Sequence, residues 1–112
     1  MRYKTINLKK DSPTVALALA MLEIELEVAK HEGVSAVKVI HGYGSHGVGG
    51  EIKKALSHWL VLNKNRGVIS EFVKGEEWPS SPKSEKIKKL CAEVLGDAEL
   101  FYPNPGITII LI

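Results

Sequence analysis

His41 closes a β-branched run (Val37, Val39, Ile40) and opens a stretch in which Gly42, Gly44, Gly47, Gly49 and Gly50 all fall before a helical pattern starting at Glu51. Strand, glycine loop and helix start gather backbone N–H groups and the positive end of a helix dipole at one point. That arrangement suits an anion such as phosphate. Gly42, Tyr43, Gly44, Ser45, His46, Gly47, Gly49 and Gly50 are the residues expected to meet it. His41, with a reference pKa of about 6.5, could donate or accept a proton in phosphodiester chemistry. Its alternative role is structural: a hydrogen-bonded histidine that fixes the loop. Lys9 and Lys53 could neutralise phosphate charge, with Lys10 and Lys54 adding to the cationic surface. An exposed Tyr43 could stack on an unpaired base, or pack over the loop as an apolar plug.

Other chemistries fit less well. Gly42-Tyr43-Gly44-Ser45-His46-Gly47 matches G-x-G-x-x-G, but Val48, Gly49 and Gly50 still separate it from the helix, and 112 residues are too few for a two-half dinucleotide fold. No Walker-type phosphate motif is present. His41, His46 and His58 have no acid beside them to complete a zinc site. Ser45 next to His46 lacks an orienting acid for nucleophilic catalysis. Cys91, the single cysteine, sits in an apolar helical pattern and reads as core.

These residues must be positioned by alternating strands and helices. Tyr3, Thr5, Ile6 and Leu8 form a first strand, and Ser12-Pro13 announces a helix over 14–32 that stops at Gly33. Residues 34–40 form a second strand and 50–65 a second helix, whose apolar face (Ile52, Ala55, Leu56, Trp59, Leu60) turns Lys53, Lys54 and Ser57 to solvent. Val68, Ile69, Phe72 and Val73 suggest a third strand. A loop with Pro79 and Pro82 leads to a helix near 83–95, capped by Ser81 or Ser84, and the continuous apolar ITIILI is a strand buried on both faces. The order β-α-β-α-β-(α)-β predicts an α/β fold with a mixed sheet.

The first helix carries two apolar stripes. Val15, Leu19, Leu22, Leu26 and Ala29 make one; Leu17, Met21, Ile24 and Val28 make the other, on nearly the opposite side. One must cover the sheet. The second needs either the segment around 83–102 or a second copy of the chain.

Composition is that of an ordinary globular domain: 45% hydrophobic, 25% charged, net charge +2. The expectation is one domain over 1–112, cytoplasmic, with no membrane span and no leader. The charge is uneven. Residues 34–66 hold Lys38, Lys53, Lys54, Lys64 and Arg66 against Glu51 alone, and residues 83–90 hold four lysines against Glu85. Residues 23–32 carry four glutamates against Lys30. A basic face beside an acidic helix is compatible with a polyanionic partner.

The strand-plus-loop IHGYGSHGVGGEIKKAL resembles the His-Gly-x-Gly-x-Gly motif of the Smr (small MutS-related) domain, with Ile52 and Lys53 in the apolar and basic places of the following helix. Asn104-Pro105-Gly106-Ile107-Thr108-Ile109 resembles that family's glycine turn into its last strand. The resemblance implies a two-layer α/β sandwich like the C-terminal domain of translation initiation factor 3, and nucleic-acid binding, with nicking or cleavage in some members. It covers about residues 3–73 and 104–112, leaving an extra loop-helix segment at about 75–103. Two departures stand out. Where active members carry Leu-Asp-x-His on the first strand, this chain reads Ile6-Asn7-Leu8-Lys9-Lys10, and His46 lengthens the loop by one residue. Asn7 cannot ionise, so a metal would lack its hard ligand and His41 its orienting carboxylate. Lysines there favour holding phosphate over activating it. The expected function is therefore binding of RNA or unpaired DNA, without a cofactor. The alternatives are a weak endonuclease using His41, with Mg²⁺ or Mn²⁺, and a protein-interaction module working through Leu17, Met21, Ile24 and Val28.

Overall fold

A computed structural model describes residues 2–11, 13–43 and 48–112; side chains are described for all of these except residues 48 and 49. Four strands, β1 (Arg2–Asn7), β2 (Val34–Ile40), β3 (Glu71–Lys74) and β4 (Ile107–Leu111), lie side by side in the order β1-β2-β4-β3. β1 runs parallel to β2, while β4 is antiparallel to both β2 and β3, so the sheet is mixed as expected. The β1–α1–β2 connection is a parallel crossover through α1 (Val15–His31).

One face of the sheet is covered by α1 and α2 (Val48–Asn65). Leu22, Leu26 and Ala29 of α1 and Ile52, Leu56, Trp59 and Leu60 of α2 pack on Ile6, Val37, Val39 and Ile110. The Trp59 indole N–H donates to Glu23 Oε1 at 3.1 Å and ties the two helices together. The apolar faces expected for both helices are thus the buried ones, with Val15 and Leu19 packed at the margin.

The segment beyond β3 covers the opposite face and adds a further layer. α3 (Pro82–Leu90) and two 3₁₀ turns (Ala92–Gly96 and Ala98–Leu100) bury Ile87, Cys91, Val94 and Leu100 against Ala36, Val73, Ile107, Ile109 and Leu111. Strand alternation explains how β4 serves both cores: Ile107, Ile109 and Leu111 point one way and Ile110 the other. Cys91 is core, as its pattern suggested.

Several boundaries differ from expectation. Thr14 caps α1, its side chain accepting from the Leu17 N–H, so the helix begins after Pro13; the expected cap Ser12 lies outside the described residues. Val68 and Ile69 are not strand: both N–H groups turn back to the Asn63 carbonyl, at 2.9 and 3.4 Å, and β3 starts only at Glu71. The helix expected over 83–95 ends at Leu90, because Cys91 adopts φ −146° and the chain tightens into 3₁₀ geometry. Ser81 is its cap. Ser84 is instead buried and donates to the Trp78 carbonyl at 2.7 Å. Finally, the 83–102 segment does not shield the second stripe of α1. It packs on the other side of the sheet; Leu17, Ile24 and Val28 stay exposed, while Met21 of the same stripe is half-buried against the core under α1 and α2.

Candidate functional site

The carboxyl ends of β1, β2 and β3 and the amino end of β4 meet at one edge, where Asn7 pairs with Ile40, Ile40 with Ile107, and Lys74 with Thr108. The first turn of α2 follows the loop that leaves β2 at this edge. Every element the sequence singled out for phosphate chemistry is therefore anchored here, and topology rather than chain proximity does it.

His41 is completely buried. Its Nδ1 lies 2.5 Å from the Gly42 carbonyl oxygen and its Nε2 2.9 Å from Thr108 Oγ1. A carbonyl only accepts, so Nδ1 carries the hydrogen and the Nε2 lone pair accepts a hydrogen bond from the Thr108 hydroxyl. Burial pushes the imidazole pKa below its usual value, and the nearby charge of Lys53 adds to this, while the Gly42 carbonyl opposes it. His41 is a neutral, saturated side chain. It fixes the start of the loop together with Gly106, whose carbonyl accepts from both the His41 and Gly42 N–H groups at 3.0 Å. The Gly42 amide is thereby taken up within the fold. Gly42 itself has φ 75°, a conformation that side chains disfavour.

Tyr43 leaves this turn exposed, at 59%. Residues 44–47, including the expected contacts Gly44, Ser45, His46 and Gly47, lie outside the described residues. Gly49 and Gly50 fall within the first turn of α2, which begins at Val48 rather than at Glu51. The glycine loop is accordingly shorter than the sequence pattern implied, and the last two glycines present helix-start backbone.

The lysines divide into two groups. Lys9 and Lys10 sit on an exposed turn directly after β1, where the Leu8 N–H still bonds the Ile40 carbonyl at 2.8 Å. Asn7 shapes that turn, its Oδ1 accepting from the Lys9 N–H at 3.1 Å. Lys54 is likewise exposed, and none of these three forms an ion pair among the described residues. Lys53 behaves otherwise. It does not point freely to solvent but pairs with Glu76 Oε2 at 2.7 Å. Burial raises the Glu76 pKa, yet the Lys53 hydrogen bond and the charges of Lys53 and Lys74 outweigh it, and the net shift is downward. Its second oxygen, Oε1, is buried with no hydrogen-bond partner.

Glu76 is the carboxylate that the sequence did not offer. It follows β3, 35 positions after His41, and no motif marks it. Its placement depends on Gly75, where a Cβ would lie 2.1 Å from the Asn104 carbonyl oxygen and 2.8 Å from that of Ile107. Only glycine allows the chain this close.

Lys38, counted with the basic residues, is absent from the surface. It lies on the opposite face of β2, bonded to Asp97 Oδ2 at 2.9 Å and to Glu99, while the Tyr3 hydroxyl donates to Asp97 at 2.6 Å. Burial lowers the Lys38 pKa, but its two carboxylate partners more than reverse this. Lys64 is also taken, by Glu71 at 2.9 Å. Much of the local excess of positive charge in 34–66 is therefore neutralised by acids that lie outside that stretch. His58 is exposed, apart from His41, and among the described residues no cluster of three or more His, Cys, Asp or Glu side chains is placed to hold a metal.

A family model for the Smr domain matches residues 11–78, which span α1, β2, the loop, α2 and β3. The chain belongs to the Smr domain family. The fold agrees: the crystal structure of the Smr domain of Thermus thermophilus MutS2 superposes with a TM-score of 0.58, covering 96% of this chain and 95% of that one at 21% identity. A curated relative, a DNA gyrase subunit from Rickettsia typhi, is 35% identical over 104 residues, 75% of this chain; the chain spans 12% of that protein's length. Smr domains are in general nucleic-acid-binding or nicking modules. In this Smr domain the family match stops at Trp78, so α3 and both 3₁₀ turns lie beyond it. No helix among the described residues is long and apolar enough to cross a membrane.

Proposed function

We propose that this Smr domain binds single-stranded nucleic acid across its sheet edge and does not cleave it. Phosphates engage Lys9, Lys10 and Lys54 and the backbone N–H groups at the start of α2, whose first-turn amides have no partner within the helix. The observation that supports binding over cleavage is the state of His41. A buried imidazole with both nitrogens occupied has no lone pair to activate a nucleophile and no proton positioned for a leaving group. Asn7 stands where active members carry Asp and Lys9 where they carry His; Lys9, with Lys10 beside it, adds attraction for phosphate without supplying a base.

The test is fluorescence anisotropy with labelled single-stranded RNA, single-stranded DNA and duplex at two salt concentrations, followed by denaturing gels after incubation with Mg²⁺ or Mn²⁺. The expected result is salt-sensitive binding, since phosphate contacts release counterions, with strands intact. Strands cut by the wild type and spared by His41→Ala overturn the non-cleaving part. Absence of binding to all three overturns the reading as a whole and favours a protein-interaction role for the exposed stripe of Leu17, Ile24 and Val28.

A further inference from the structure

Beside the sheet edge lies an open cleft of about 450 Å³ lined by Tyr43, Ala98, Glu99, Tyr102 and the Pro103-Asn104-Pro105 turn. We propose that this cleft takes one unpaired nucleobase of a bound strand, stacked on Tyr43 and Tyr102. The proposal rests on the reading of the edge as a nucleic-acid surface and assigns a role to the segment beyond the family match, which supplies one of the two rings.

Four observations carry it. Both rings are available: Tyr43 is 59% and Tyr102 77% exposed, and aromatic faces left open beside a cationic edge offer stacking to any base. The cleft is preformed. A Cβ on Gly106 would touch Tyr43 Cδ1 at 3.4 Å, so the ring seats against that backbone, and the turn is pinned by the Asn104 N–H on the Gly75 carbonyl at 3.1 Å. Pro103 and Pro105 stiffen the floor. Polar groups are ready for a base edge: Asn104 Oδ1 is used by the Gly106 N–H at 3.0 Å, which leaves the amide nitrogen as a donor, and Glu99 holds Lys38 through Oε1, which leaves Oε2 as an acceptor. Lys38 offsets one of the two carboxylate charges gathered around it, those of Asp97 and Glu99. Finally, the cleft adjoins the His41–Gly42 turn, at the same end of the sheet as the turn that carries Lys9 and Lys10.

A duplex keeps its bases stacked inward and cannot fill the cleft without unpairing, so the structure assigns a preference for single strands. The decisive probe is a short strand of abasic sugar-phosphates carrying one 2-aminopurine, compared with an all-abasic strand of equal length. Wild-type protein is expected to bind the one-base strand about tenfold more tightly and to quench its fluorescence. Tyr102→Ala should remove both effects without changing the salt dependence, and Tyr102→Phe should retain them. Thermal unfolding of both variants serves as the folding control. If Tyr102→Ala quenches and binds as the wild type does, the cleft is not a base site, while the phosphate surface stands. If wild-type protein binds neither strand nor ordinary single-stranded RNA or DNA, the phosphate surface fails, and the cleft with it.

Discussion

The hydroxyl of Thr108, on β4, donates to Nε2 of His41, just past the end of β2, at 2.9 Å. Two strands are thereby locked at the point where the loop departs. Replacing the hydroxyl by a methyl tests this. Thr108→Val leaves a buried imidazole nitrogen without a donor and should cost about 1–3 kcal/mol. The midpoint of urea unfolding should fall with an unchanged slope, and affinity for single strands, measured on folded protein, should hold.

The same histidine gives the fold a pH dependence of known sign. Its pKa is lowered in the folded state, chiefly by burial. Above about pH 6.5 both states carry it neutral. Below that, the unfolded chain takes up a proton that the folded chain refuses, so stability falls as pH drops from about 6.5 through the folded-state value, by at most about 1.4 kcal/mol per pH unit. His41→Gln should flatten this part of the profile, measured by chemical unfolding at a series of pH values.

Asp97 anchors the 3₁₀ segment to β1 and β2 through Tyr3 and Lys38, both side chains of the Lys38–Asp97 pair being about nine-tenths buried. Asp97→Ala strips Lys38 of a buried partner and should cost about 3 kcal/mol. Lys4→Ala, which removes an exposed pair with Glu32, should leave the melting temperature nearly unchanged. Thermal melts of the two variants side by side separate a structural ion pair from a surface one.

Glu76 occupies Lys53 in the free protein. Glu76→Gln removes the competing negative charge and should tighten single-strand binding while steepening the logarithmic salt dependence by about 0.7, the contribution of one further phosphate contact. Titrations at several salt concentrations read both effects. An unchanged slope means that Lys53 never meets the backbone.

The parts of the fold written in local pattern were legible. Val34–Ile40, the terminal apolar run and the Ile52–Leu60 face of α2 each follow a single periodicity, and all three stand as read. The misreadings share a cause. Lys38, Lys53 and Lys64 looked like surface charge because their partners Asp97, Glu76 and Glu71 lie far along the chain or beyond a strand boundary. A lysine inside the otherwise apolar VSAVKVI was the available clue, since a charge there needs a buried partner. Trp78, read as loop, is 3% exposed and belongs to the second core, which no periodicity announces in a turn. The position of His41 was legible. Its burial was not, because it depends on Thr108 and Gly106, which reach it only once β4 is in place.

β4 is the last of the four strands to be synthesised, yet it sits between β2 and β3. Until it emerges from the ribosome, β2 has one unpaired edge and β3 has no strand to pair with. At about 5–20 residues per second, the interval between completing β3 and completing β4 is roughly 2–7 s. During that time the nascent chain carries an open β-edge flanked by apolar side chains. The β1–α1–β2 unit can form early, but His41 cannot be buried, nor the loop set, before this central strand inserts. Assembly of the proposed nucleic-acid surface thus waits for the strand that is made last and placed in the middle.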